Sequence, residues 1–449
     1  MAWRSHLFGA LRHPTRPEIL LLRTDRSWRL PHVLLPGRVW TADAHLVASA
    51  FEPRLGTRPW LLRRIHAAED AEVKTVEAIV ELEVHDESWR APPHGRWVGS
   101  SDLVGLRLAD EEHRSLLARF LELLVADEAP EQRPPWARTG WLDAVSRWIT
   151  SEVGRLGHVV VRLEQVKHWS LSSVLRITTD GPDFYFKVPL RLPLFVEEAA
   201  LTARLAERFP GYVPAPLAVD PEHGWMLLPA FDELFEWEAP LEIRCEVLRR
   251  FAGLQRLTAG VTAELVEHGC LDRRLQVLEL QIDPLVNDPA AVALLTDVEV
   301  AELRQLAPAL KELCRRLNGL GLPATLVHGD LHLLNVARLD GSIVYFDWTD
   351  ACVAHPFIDL HSLQWEQEES IRAALLSAYL EPWEGVDSAA RMLEAVSLAG
   401  VVTPLHHAVS YQHIVAGLEP SAKPELDATH VFLREALSKA KSLLGAAEP

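Results

Sequence analysis

The sequence predicts an α+β protein of more than one domain, and three observations carry that reading. Short β-branched and apolar runs end in one amphipathic helical pattern near residue 125. A stiff polar stretch, Pro130-Glu131-Gln132-Arg133-Pro134-Pro135, then interrupts the chain. Beyond it a second strand-rich segment precedes a long helical remainder with one hairpin inserted at 326–347. At 449 residues the chain also exceeds what a single hydrophobic core ordinarily holds.

Taken in order, residues 1–16 carry Arg4, Arg12 and Arg16 around a short apolar piece, 7–11, and read as a ragged domain start rather than a secretion signal. Runs 19–23, 60–65 and 73–84 have strand character, and 110–125 has helical apolar spacing, which together make a small α+β domain over 1–129. Residues 130–139 read as an extended linker. After it, 141–156 is helical by pattern, and 159–166, 173–178 and 184–188 read as strands, with Asp180-Gly181 supplying a tight turn. A helix over 197–209 is broken by Pro214 and Pro216, and 225–228 is a short apolar strand. These elements form a lobe over 140–231, and a mostly helical lobe follows over 232–449.

Composition narrows the function classes. Sixty-three acidic side chains against 45 basic ones give a formal charge of −18, which repels a polyphosphate backbone and attracts small cations. Nucleic acid is thereby excluded as the main partner. The apolar fraction of 48% contains no uninterrupted apolar run near the roughly 18 residues of a membrane span, so no membrane association is expected and the protein is expected to be soluble. Cys245, Cys270, Cys314 and Cys352 are too scattered for a metal site or a disulfide framework, and a reducing cytoplasm fits them best.

The chemistry concentrates in 328–335, which reads His-Gly-Asp-Leu-His-Leu-Leu-Asn. Phosphoryl transfer asks a protein to aim a hydroxyl, hold a divalent cation and neutralise developing charge. Asp330 and Asn335 offer a carboxylate and an amide at the separation found in kinase catalytic loops. Next come 336–339, Asp340-Gly341 and 342–346, which spell strand, two-residue turn and strand. That turn sets the register so that position 335 falls opposite 346, bringing Asn335 and Asp347 together at the open end of the hairpin. Both present hard oxygens suited to Mg²⁺, which takes one or two protein groups and completes its shell with phosphate and water. Asp330, just upstream, can orient a substrate hydroxyl or accept its proton.

These residues, with Asp347-Trp348 and Pro356-Phe357-Ile358-Asp359-Leu360, resemble the aminoglycoside phosphotransferase and choline kinase family over about 158–440. The resemblance implies a bilobal protein-kinase-like fold, with lobes over 140–231 and 232–449, that uses Mg²⁺ and ATP, or GTP. It implies Asp330 as the catalytic residue, Asn335 and Asp347 as metal ligands, His332 as a phosphate contact and Asp359 as a structural brace. Lys187, at the end of an aromatic strand, falls where the family's phosphate-binding lysine belongs, with Glu198 preferred to Glu197 as its partner.

In place of a glycine-rich loop stands His168-Trp169-Ser170-Leu171-Ser172-Ser173, where phosphate would meet backbone N–H groups and the hydroxyls of Ser170, Ser172 and Ser173. Pro229, Ala230 and Phe231 follow the last strand of the lobe as the hinge that reads the base. Core packing is the competing reading for Phe231 and for Met226. Carboxylates at 232–238 and 366–369 are either clamps for substrate amines or solvated faces.

Upstream, Leu30-Pro31, Leu35-Pro36-Gly37, Arg96-Trp97-Val98 and Glu111-Glu112-His113 resemble a Nudix fold over about 15–127. The metal-binding glutamates of that fold are missing, since the corresponding stretch is Ser49-Ala50-Phe51-Glu52-Pro53-Arg54-Leu55-Gly56. A non-hydrolytic domain is therefore expected. The chain as a whole is expected to phosphorylate a hydroxyl of a small cationic or polar molecule. The alternatives are a kinase of another small metabolite, such as a sugar or amino alcohol, and a non-catalytic ligand-binding sensor or scaffold. No activation segment ending in Ala-Pro-Glu follows residue 347, which argues against a protein kinase.

Overall fold

A computed structural model describes residues 2–126 and 129–445. The outer ends of the predicted domains, at residues 1 and 449, and the end of the Nudix-like stretch, at 127, lie outside the described residues. The chain is α+β and divides into two compact units, Met1–Leu190 with Leu418–Pro424, and Arg191–Gly417 with Glu425–Pro449.

In the first unit a four-stranded sheet has the order His32–Pro36, Arg4–Leu11, Thr75–Glu83, Trp60–Asp70. The reading of 1–16 as a ragged start is overturned, because Arg4–Leu11 is a central strand. It pairs parallel with Thr75–Glu83 and antiparallel with His32–Pro36. The period-two alternation of a strand explains its burial on both faces. Leu7 and Leu11 pack with Val47 and Phe51 of the helix Ala44–Leu55, while Phe8 and Ala10 pack with Leu117 and Phe120 of the helix Arg114–Ala126. The helix Ala44–Leu55 was missed by pattern because Pro53 sits in its last turn; Asp43 caps its start by accepting the Leu46 N–H.

The same unit continues through the helix Trp141–Arg155 into the antiparallel strands Val160–His168, Ser172–Thr179 and Phe184–Pro189. The Gln165 side chain bonds to both backbone groups of Leu61, at 2.8 and 2.7 Å, and so splices these strands onto the preceding sheet. Between them, 130–139 is packed down: Pro135–Ala137 is a 3-10 turn, and buried Trp136 donates its indole N–H to the Trp169 carbonyl at 2.7 Å.

The second unit is mostly helical. Its core gathers Phe251, Tyr345, Trp348, Phe357, Tyr379 and Trp383. The long helix Asp297–Gly319 starts at a capping box in which Thr296 and Glu299 satisfy one another's backbone N–H groups. The helix Ala389–Gly417 is long and apolar enough to cross a membrane, but 67% of its most apolar window is buried within the unit, as in a core helix. Strand Thr325–Val327, hairpin Val336–Leu339 and Ser342–Tyr345, and strand Cys352–Ala354 interrupt the helices.

Alongside His328, three further histidines of this unit contribute to its response to acid. Burial holds His355 and His407 down at about 3 and His406 well below the ordinary 6.5. The unfolded chain takes up protons at these rings near pH 6.5 while the folded unit does not, so their contribution to stability is lost as pH falls. Each contributes up to about 1.4 kcal/mol per pH unit. Asp359, which burial pushes up to about 7, has the opposite sign and offsets one of the three. The unfolding midpoint followed by circular dichroism is expected to fall by several degrees between pH 6.5 and 5. A midpoint that stays level or rises over that range contradicts the assignment.

Candidate functional site

The loop 328–332 leaves strand Thr325–Val327 and turns sharply at Gly329, whose φ is +84°. A Cβ there would press into the Asp350 carbonyl oxygen, so glycine is required both for the dihedral and for the close approach. Beneath the turn, the Asp359 carboxylate accepts the backbone N–H groups of His328 and Gly329, each at 2.9 Å, and the Gln255 amide at 2.9 Å. His328 is fully buried against Trp348, with ring centroids 4.7 Å apart, and its Nε2 lies 2.9 Å from the Phe346 carbonyl. Burial lowers its imidazole to about 4, so the ring is a neutral fastener between loop and hairpin.

Asp330 emerges from this turn with its side chain 51% exposed. Its Oδ2 lies 3.3 Å from His332 Nε2 and 3.3 Å from Asn335 Nδ2, and Asn335 Nδ2 also donates to the Asp330 carbonyl at 2.9 Å. Burial of the site pushes the carboxyl up, but the hydrogen bond and charge of His332 outweigh it and leave the group below its ordinary range. Asp330 is therefore ionised and able to accept a hydrogen bond from a hydroxyl.

The hairpin has the register expected from its turn. Val336 faces Tyr345 and Leu339 faces Ser342, with Asp340 and Gly341 both at positive φ. One step further, the Phe346 N–H donates to the Asn335 carbonyl at 3.0 Å, so Asn335 and Asp347 both close the open end. Asp347 adopts a left-handed conformation, with φ +66° and ψ +57°. Its Oδ1 accepts the Thr349 hydroxyl at 3.0 Å. Thr349 Oγ1 also lies 3.2 Å from the Glu198 carboxylate, which accepts the Trp348 N–H at 3.1 Å. Glu198 is buried, whereas Glu197 is 61% exposed and paired with Arg191.

The donor set fits a hard cation. Asn335 uses its amide nitrogen within the loop, and its Oδ1 takes no hydrogen bond from any described residue. Among the described residues no cluster of three or more His, Cys, Asp or Glu is built to hold a metal alone. An amide oxygen and a carboxylate completed by ligand oxygens is instead a magnesium-like arrangement.

Other predicted residues are differently placed. His332 turns Nε2 toward Asp330 and Asn335, and its Nδ1 is buried without a hydrogen-bond partner among the described residues. In the first unit, Ser172 and Ser173 are buried; Ser172 Oγ accepts the Trp169 indole N–H at 2.9 Å, and Ser173 Oγ lies 3.0 Å from His168 Nδ1. Their hydroxyls are engaged in the fold, which leaves Ser170, half-buried, as the hydroxyl of the three still available to a ligand. Lys187 is buried in its strand.

Phe231 follows Pro229 and Ala230 and stacks on Phe346 at 4.8 Å, while Met226 is a core residue, 1% exposed. Of the acidic runs, Glu233 pairs with Arg338 and Glu366 with Arg244. Pattern reading passed over Trp237 and Trp365, which flank His332 at 5.2 and 6.3 Å and lie 5.7 Å from one another. They are 45% and 50% exposed. The signal was an aromatic set inside each acidic run, at Glu236-Trp237-Glu238 and Trp365-Glu366.

The sequence profile of the phosphotransferase enzyme family matches residues 162–392. No curated protein matches the chain at a significant level. Among solved structures, macrolide 2'-phosphotransferase MphH from Brachybacterium faecium is 20% identical with a TM-score of 0.43; the match covers 63% of this chain and 97% of that one. Choline kinase LicA from Streptococcus pneumoniae is 14% identical with a TM-score of 0.47, covering 67% and 99%. An aminoglycoside phosphotransferase, APH(4)-Ia, is 15% identical with a TM-score of 0.42, covering 66% and 99%.

The loop depends on Gly329. Replacing it, Gly329→Ala, is expected to destabilise the protein by roughly 1–3 kcal/mol in urea denaturation, through the strained dihedral and the clash with Asp350. A change within about 0.5 kcal/mol, the usual range of a neutral surface substitution, would refute that dependence.

Proposed function

We propose that this chain, which belongs to the phosphotransferase enzyme family, moves the γ-phosphoryl group of ATP, or GTP, to a hydroxyl of a small cationic or polar molecule. The observation that carries the reading is the convergence of Asp330, Asn335 and Asp347 at one end of the 336–345 hairpin. Asp330 aims the acceptor hydroxyl and takes up its proton as the oxygen attacks phosphorus. Asn335 and His332 hold that carboxylate in one rotamer, and the hydrogen bond from His332 favours its ionised form. Asn335 Oδ1 and the Asp347 carboxylate would hold Mg²⁺, which supplies neutralising charge for the phosphate oxygens. Lys187 is the cation assigned to the α- and β-phosphates, and backbone groups at Pro229 and Ala230, with the Phe231 ring, are assigned to the base.

Exposed Trp237 and Trp365 support an acceptor with a cationic or flat apolar face, since indole rings attract cations to their faces. Residues 1–129 are read as a Nudix-like, non-hydrolytic domain, and Glu52 is the lone carboxylate of the helix Ala44–Leu55. The four free cysteines support a reducing, cytoplasmic setting.

The test pairs nucleotide binding with turnover. A Mg²⁺-dependent thermal shift with ATP is expected in the wild type and in Asp330→Asn, and is expected to be absent in Asp347→Ala. In a screen of hydroxylated amines, Asp330→Asn is expected to lower kcat by roughly 10²–10⁴-fold. Equal turnover by that variant, or no nucleotide shift in the wild type, would overturn the reading. For an acceptor found in this way, Trp237→Ala is expected to raise KM roughly 2- to 30-fold with kcat little changed, as loss of a cation–π contact predicts. An unaltered KM removes the tryptophans from the acceptor site.

A further inference from the structure

The first unit holds a cavity of about 240 Å³ outside the site above, and its walls carry an excess of fixed positive charge. Arg12, Arg63, Arg133 and Arg138 line it together with Glu81 and Phe120. They come from separate stretches: Arg12 from just past the first strand, Arg63 and Glu81 from neighbouring strands, Phe120 from the helix Arg114–Ala126, and Arg133 and Arg138 from 130–139. Among the described residues, two carboxylates answer the four guanidiniums. Glu81, 1% exposed, takes Arg12 at 3.0 Å and Arg63 at 2.7 Å, and Glu419 takes Arg133 at 3.1 Å with Arg63 at 3.6 Å. Arg138 donates to the backbone carbonyls of Pro130, Glu131 and Arg133, and to no carboxylate among the described residues. Among the described residues, four positive groups against two negative ones leave two charges unanswered.

Donors are unanswered as well. Arg12 bonds through Nη1 alone and Arg133 through Nε alone, so the remaining N–H groups of both have no acceptor among the described residues. Arg63 and Arg133, which the two buried carboxylates hold, are 9% and 11% exposed, whereas Arg12 is 22% exposed and Arg138 lies at an exposed position, so the surplus charge is at the mouth of the cavity. Burial and the charge of Arg63 both press the Arg133 pKa downward. Grouping like charges in a half-buried space is unfavourable unless an anion completes it.

We propose that this cavity binds a small dianionic phosphoryl compound, either inorganic phosphate or a phosphate monoester. Guanidinium forks match tetrahedral phosphate oxygens in paired hydrogen bonds, and a dianion balances the two surplus charges. The cavity is smaller than the roughly 300–1,000 Å³ of sites that enclose drug-sized ligands, which favours a phosphate with a short organic group over a nucleotide. Phe120 supplies the one aromatic wall.

The test is isothermal titration of the full chain in EDTA at fixed ionic strength, with inorganic phosphate and glycerol 3-phosphate as probes. Saturable one-to-one binding is expected, weakened roughly ten- to hundred-fold in Arg133→Gln, as loss of charge-assisted bonds predicts. Arg138→Gln, at an exposed position, is expected to weaken it as well and serves if the first variant does not fold. Asp347→Ala is expected to bind as the wild type does, which separates this cavity from the nucleotide site. Binding of both probes with equal affinity identifies inorganic phosphate as the ligand, and preference for glycerol 3-phosphate identifies a monoester. Absence of saturable binding with both probes overturns the proposal. So does binding retained in the folded arginine variants, or binding lost in Asp347→Ala.

Discussion

The Asp359 carboxylate, buried beneath the turn at 328–330, is the contact on which the site depends. A carboxyl group withdrawn from water is unfavourable unless donors surround it, and the two backbone N–H groups it accepts belong to His328 and Gly329. Those bonds fix the path of the chain just before Asp330. Gln255 joins Asp359 to the Pro356 carbonyl, and Tyr379 donates to that carbonyl at 2.9 Å, so three helical segments hold the brace in place. The turn is thereby tied to the core of the helical unit instead of moving as a surface loop.

Two carboxylates of the loop region are given opposite characters by their surroundings. Asp359 has no cationic partner among the described residues and burial pushes it up to about 7, whereas Asp330 lies beside His332 and stays below its ordinary range. The first suits a structural acceptor and the second an ionised group that meets ligand. Glu198 repeats the structural pattern at the other end of the hairpin, where it accepts from Trp348 and Thr349 next to Asp347. Asp330 is therefore half-exposed, while His328, Asp359 and Glu198 around the loop and hairpin are buried.

The first unit is organised differently. Its central sheet buries both faces, each under its own helix, and a strand is sheltered in this way only when both sets of alternating residues are apolar or small. Polar splices such as Gln165 on the Leu61 backbone, and Trp136 on the Trp169 carbonyl, join the sheet to the strands that follow. The arginine cavity lies where the sheet meets the 130–139 segment, a place with no counterpart in the helical unit's loop and hairpin.

Local patterns alone determined the strands around 160–189, the helices beginning near 141 and 198, and the register that joins Asn335 to Asp347, because each follows from period or turn chemistry within a few residues. The family match was legible in sequence because the motif residues at 328–335 lie close together in the chain. Tertiary structure decided what contiguous pattern cannot express. Arg4–Leu11 is a central strand only because Thr75–Glu83 and His32–Pro36 pair with it from far along the chain. Trp237 meets Trp365 across more than a hundred residues. The four arginines of the cavity share no spacing at all. Their grouping exists only after the chain has folded, since long-range packing sets which distant side chains become neighbours, and local period carries no record of it.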